Sequence, residues 1–106
     1  MDIIDVQKGI EDCIEYFENN HEQLAKLKAK FEGMKEYQKT SLALCELAST
    51  GSTESEIKRR GLAHNDHTTF LLEFKKARIA HLKKQAEYDF QKAKFEGLRS
   101  LNKNIA

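Results

Sequence analysis

Four histidines, two cysteines and a cluster of carboxylates are the residues of this 106-residue chain that have reactive or ligating chemistry to offer. His64 and His67 flank Asn65-Asp66, while His21 and His81 stand alone, so a zinc site would have to assemble without the short ligand spacings that hold a tetrahedral ion. Neither Cys13 nor Cys45 has a histidine at motif distance, and no Gly-x-Ser-x-Gly or phosphate-loop pattern occurs. The reading is of a protein that is not an enzyme and uses no metal, cofactor or small-molecule ligand. The His64/His67 pair reads as a solvated helix start, and His81 as a core or interface side chain. The two cysteines sit at helical, apolar positions, which favours buried thiols over a disulfide.

Charge is the better guide. The net value is +1, but the signs are separated. Residues 1–20 hold Asp2, Asp5, Glu11, Asp12, Glu15 and Glu18 against Lys8 alone, and residues 58–103 are in basic excess. Glu11, Asp12, Glu15 and Glu18 read either as a solvated helix face or as a surface that docks on a basic partner. Lys58, Arg59 and Arg60, followed by Lys75, Lys76, Arg78, Lys83 and Lys84, are candidates for contacting the phosphates of DNA, an interaction that salt would weaken.

The elements that must position these residues are helices. From Asn65 to Asn102 nothing interrupts a helix except one late glycine, and two apolar stripes run along it. One holds Leu71, Phe74, Arg78, His81, Tyr88, Phe95, Leu98 and Ile105; the second holds Ile79, Leu82, Ala86, Phe90, Ala93, Gly97 and Leu101. The sevenfold spacing of Phe74, His81, Tyr88 and Phe95 predicts a coiled-coil-like contact. Upstream, Asp2 or Asp5 opens an acidic helix over residues 1–20, and Asn19-Asn20 either breaks it or lets it continue to Ala48. A first arm over 22–49 stops at Ser49-Thr50-Gly51-Ser52, where a glycine offers a left-handed position. Thr53 and Glu56 form a capping box for a short helix closed by Gly61, and Asn65 or Asp66 caps the long return helix over 66–103.

The fold class is therefore all-α: a long antiparallel helical hairpin, coiled-coil-like, with an N-terminal helix and a short helix at the hairpin tip within the connector 50–65. One helical domain spans 1–106. The segment Lys28-Ala29-Lys30-Phe31-Glu32-Gly33 recurs as Lys92-Ala93-Lys94-Phe95-Glu96-Gly97, and each glycine predicts a close helix–helix approach. A return helix that outruns its partner predicts a homo-oligomer joined through Tyr88, Phe90 and Phe95. Without a signal peptide or an apolar run near eighteen residues, the chain reads as cytoplasmic and not membrane-bound.

The order of these features resembles a known group. The lysine-rich helix, the turn, Thr53 to Arg60, the Leu-Ala-His-Asn-Asp connector and the ending Glu96 to Asn102 resemble phage and prophage helical-hairpin proteins, distantly the UvsY-type recombination mediators. The resemblance covers about residues 24–102. It implies an oligomer that binds single-stranded DNA and helps load a recombinase, with Lys58, Arg59 and Arg60 in contact with DNA. The alternative is a small inhibitor or adaptor, such as a phage counter-defence or anti-CRISPR-like protein, that binds a host or phage protein through its acidic helix.

Overall fold

In a computed structural model the chain is helical without strands among the described residues, which are 2–49, 51 and 53–105, with the side chains of Ala63 and Ile105 outside the description; Asp2, Ser49, Gly51, Thr53 and His64 lie outside the helices. Three helices follow in order: α1 (Ile3–Ala48), α2 (Glu54–Ala63) and α3 (Asn65–Ile105). The long α1 packs against the long α3, which makes the fold a helical hairpin. Contacts divide the chain into two compact units, Met1–Lys26 with His81–Ala106, and Leu27–Ala80.

The first arm does not break at Asn19-Asn20. Two polar side chains here turn back on their own helix: Asn20 Nδ2 donates to the Tyr16 carbonyl at 2.7 Å, and His21 Nδ1 lies 3.0 Å from the Phe17 carbonyl. These bonds compete with water for the carbonyls and leave the helical ladder intact. α1 is consequently 46 residues long against 41 for α3, so the return helix does not outrun its partner. The N-terminal segment is part of the first arm.

The ends of the helices are held by specific bonds. Asp2 Oδ1 accepts the Asp5 amide at 3.0 Å and starts α1. At its far end Ser49 Oγ donates to the Cys45 carbonyl at 2.7 Å and the Ser49 amide donates to the Glu46 carbonyl, so the stop is made by a serine. No described glycine has positive φ, which removes the left-handed role expected of Gly51. Thr50 and Ser52 lie outside the described residues. Thr53 Oγ1 accepts the Glu56 amide at 3.2 Å and opens α2. The cap of α3 is His64, whose Nδ1 accepts the Asp66 amide at 3.1 Å, rather than Asn65 or Asp66.

Glycine positions depart from expectation in an informative way. Gly33 and Gly97 were the expected close approaches, yet a methyl group at either would meet nothing within 4 Å. The close approaches are at Gly9, where it would fall 2.8 Å from Leu98 Cδ1, and at Gly61, where it would fall 2.6 Å from Glu46 Cγ and 3.2 Å from Glu46 Cα. Gly61 does not close α2. It lies inside that helix and lets α2 press on the end of α1.

Within the unit of Met1–Lys26 and His81–Ala106, the core is Val6, Cys13 and Leu98, with Ile10, Phe17 and Phe95 packed on it. Phe17 stands 5.1 Å from Tyr88 and 5.7 Å from Phe95, ring centroid to centroid. Within Leu27–Ala80, Phe31 stacks on Phe74 at 5.5 Å and Tyr37 meets Phe70 edge-on at 5.5 Å. In both units the partner number falls as the residue number rises, the signature of antiparallel arms.

On α3 every residue at alternating spacings of three and four from His67 to Asn102 is buried or half-buried: His67, Phe70, Phe74, Ala77, His81, Lys84, Tyr88, Gln91, Phe95, Leu98 and Asn102. That 3.5-residue period is the spacing of a coiled-coil seam. The repeated segments use it alike. Phe31 and Phe95 face the opposite arm, and Gly33 and Gly97 face away.

Candidate functional site

Three surfaces hold the residues with functional potential: the basic side chains of α2 and α3, the acidic side of α1, and the polar groups inside the helix–helix seam.

At the tip, two of the three basic residues pair with a carboxylate. Lys58 Nζ lies 3.3 Å from Glu54 and Arg60 lies 2.6 Å from Glu56, both one helical turn back. Arg59 lines a shallow surface recess with Thr53, Ser55 and Glu56. Glu54 and Glu56 thus offset part of the positive charge of the tip, and Glu46 packs under Gly61.

Along α3, Lys76 pairs with Glu73 at 3.2 Å, while Lys75, Arg78 and Lys83 are exposed. Lys84 is not a surface cation at all. Its side chain is 12% exposed, its Nζ donates to Asn20 Oδ1 at 2.6 Å and lies 3.3 Å from Glu87, and it stands 5.6 Å from the centre of the Tyr16 ring. It occupies a seam position, which takes it out of the nucleic-acid set. Leu27–Ala80 as a whole carries ten basic against seven acidic residues, and the other unit eight against ten.

The acidic residues of α1 are differently placed. Glu11, Asp12, Glu15 and Glu18 are all exposed, and among the described residues no ion pair engages them. They lie off the line of Val6, Cys13 and Phe17 that meets α3, because Glu11, Glu15 and Glu18 follow the helical row on the outer side. A rigid helix thus carries a ridge of unpaired carboxylates.

Beneath that ridge, Tyr16 donates to Glu87 Oε1 at 2.6 Å. Burial of the phenol and this bond to a carboxylate push the Tyr16 pKa up to about 12. The same bond, with Lys84 second, holds the Glu87 carboxyl below its ordinary range. Cys13 Sγ donates weakly to Gln91 Oε1 at 3.7 Å.

In Leu27–Ala80 the expected solvated histidine pair separates into two roles. His64 caps α3, whereas His67 is 3% exposed, with its Nδ1 3.2 Å from the buried Ser41 hydroxyl. The seam position of His67 puts it there, and the contact satisfies two polar groups that the seam encloses. Beside it a cavity of about 220 Å³ is lined by Tyr37, Ser41, Leu44, Cys45, Ala48, His64, Asp66 and Phe70. Both cysteines are free and buried. Among the described residues no group of three or more His, Cys, Asp or Glu is placed to hold a metal ion.

The aromatic positions expected at an oligomer interface divide as well. Tyr88 and Phe95 pack against Phe17 of their own chain, because α1 reaches the end of α3, and only Phe90 is left outside at 66% exposure. No described helix is long and apolar enough to cross a membrane. Comparison of the chain with family models, with curated proteins and with solved structures finds no match.

Proposed function

We propose that this chain is a non-enzymatic, protein-directed binding module, an inhibitor or adaptor of the kind used in phage counter-defence, which acts in the cytoplasm by docking the outer side of α1 into a basic groove of its target. The observation that carries this reading is the run of exposed carboxylates along the outer side of α1. Glu11, Asp12, Glu15 and Glu18 are exposed with no ion pair among the described residues, while Lys58, Arg60, Lys76 and Lys84 each have a carboxylate of the same helix alongside. Carboxylates on a helix keep their backbone spacing as a partner approaches, so they steer and orient a basic surface without a backbone ordering cost. A groove built for nucleic acid has that chemistry. Capture of a stoichiometric protein from host lysate, lost when Glu11, Asp12, Glu15 and Glu18 are changed to lysine, tests the reading. Undiminished capture by that variant rejects the acidic helix as the docking surface.

A second reading, single-stranded DNA binding in support of recombination or replication, is favoured by the basic excess of Leu27–Ala80. Exposed pairs one turn apart are weak, so a phosphate can displace their carboxylates. Of the eight basic residues singled out on α2 and α3, Arg59, Lys75, Arg78 and Lys83 have no ion pair among the described residues, and they are the predicted contacts. A gel shift that is abolished by their reversal to glutamate and by salt would support this reading against the first.

A further inference from the structure

The second apolar stripe of α3 does not meet α1. Leu82, Phe90 and Leu101 are 52%, 66% and 44% exposed, and Ala86, Ala93 and Gly97 between them are exposed as well. All six belong to the unit of Met1–Lys26 and His81–Ala106. On the helix they lie on the side away from Lys84, Tyr88, Gln91, Phe95 and Leu98. Gly97 adds a separate sign that this side is built for close approach: it is a mid-helix glycine with open space around it, and neither a turn nor a neighbour in its own chain requires it.

We propose that this side of α3 is the contact between two copies of the chain, which meet antiparallel. The spacing specifies the occupant. From Leu82 to Leu101 the apolar positions are separated by four, four, three, four and four residues, a series that reads the same in both directions. An isologous contact requires one patch to match itself after a twofold rotation, and this series does so when two α3 helices run in opposite senses. Leu82 then falls opposite Leu101, Ala86 opposite Gly97 and Phe90 opposite Ala93, each pair formed across the two copies. The small pair brings the backbones close and the large ring meets a small partner, so the surfaces interdigitate. A parallel pairing would instead set Phe90 against Phe90. Along one flank the antiparallel register brings Glu87 near Lys94; along the other Asp89 approaches Glu96, which weakens the contact.

Area sets the strength. Twenty helical residues span about 30 Å, and one such face on each copy, with its flanking lysine stems, buries roughly 1,000–1,200 Å² in total, the low end for a specific interface. A dimer with so small an interface is expected to be reversible. It uses the outer side of α3 and leaves the carboxylates of α1 exposed, so each dimer presents two acidic ridges.

The test uses the full chain. Sedimentation velocity over a concentration series is expected to show a monomer–dimer equilibrium, shifted toward monomer at least about tenfold in dissociation constant by Phe90→Glu, with circular dichroism unchanged because Phe90 touches no core. Register is read by cross-linking two single variants, Leu82→Cys and Leu101→Cys. Oxidation of their mixture is expected to join one to the other in preference to either with itself. A chain that stays monomeric throughout the series, a dimer indifferent to Phe90→Glu, or preferential Leu82→Cys homodisulfides would each overturn the proposal.

Discussion

The hydroxyl of Tyr16 and the carboxylate of Glu87, 71 residues apart in the chain, meet at 2.6 Å and tie α1 to α3 beside the aromatic cluster of Phe17, Tyr88 and Phe95. This bond links the pH response of the molecule to its packing. Burial and the carboxylate raise the phenol from 10.0 to about 12, and the phenol in turn lowers the carboxyl.

The expected titration follows from those directions. Raised in the folded state, Tyr16 contributes stability that is complete below its unfolded pKa and is lost as pH rises through about 12. Lowered in the folded state, Glu87 contributes stability present above the ordinary carboxylate range and lost as pH falls through its folded value. Tyrosinate absorbance should show one of the three tyrosines ionising last, near pH 12. Tyr16→Phe should remove that component and Glu87→Gln should bring it down. Survival of the late component in Tyr16→Phe would contradict the assignment.

Two glycine substitutions should move stability in opposite directions. Gly33→Ala meets open space and gains helix propensity, so it should stabilise by about 1 kcal/mol. Gly61→Ala places a methyl against the Glu46 backbone and should destabilise by about 1–3 kcal/mol. Thermal melts should therefore shift up for the first and down for the second, by several degrees each for a domain of this size. Equal shifts would mean that α2 does not press on α1 at Gly61.

Core truncation offers a third check. Leu98 is 7% exposed and covers Gly9, Val6 and Cys13, so Leu98→Ala should cost about 2–4 kcal/mol in chemical denaturation. Leu101→Ala, on the exposed side three residues on, should cost well under 1 kcal/mol when measured below the concentration at which chains associate.

The polar seam makes a fourth prediction. Lys84→Ala strands Asn20 Oδ1 and removes the aliphatic stem beside Tyr16, and should destabilise by about 1–3 kcal/mol. The same substitution at Lys83, which is exposed, should be nearly neutral. If the two lysines behave alike, Lys84 is not part of the seam.

The hairpin was legible because Phe74, His81, Tyr88 and Phe95 repeat every seven residues, and that line does face α1. The companion line was harder to read: Lys84 and Gln91 fill heptad positions with polar side chains, so a hydrophobicity criterion passes over them although Ala77, Lys84, Gln91 and Leu98 also repeat every seven. Polar residues at such positions fix register at some cost in stability. Asn19-Asn20 read as a breaker because intrinsic propensity contains neither the Lys84 ammonium that Asn20 accepts from nor the Tyr16 carbonyl it donates to. Gly33 and Gly97 read as contacts by the same local logic, and only the placement of the arms shows that the crowded glycines are Gly9 and Gly61. Charge was legible in sum and not in pairing. The triad Lys58, Arg59 and Arg60 looks like a basic cluster until Glu54 and Glu56 are seen one turn back, on the same side of α2.

Binding by the acidic ridge is tested most directly by running the wild-type chain and its fourfold reversal, Glu11→Lys, Asp12→Lys, Glu15→Lys and Glu18→Lys, through capture from host lysate beside a gel shift with labelled single-stranded DNA. The account predicts one stoichiometric protein held by the wild type and released by the reversal, the release being graded with salt, and no DNA retained by the wild type at physiological ionic strength. Retention of DNA by the wild type, together with protein capture that the reversal leaves unchanged, would contradict it.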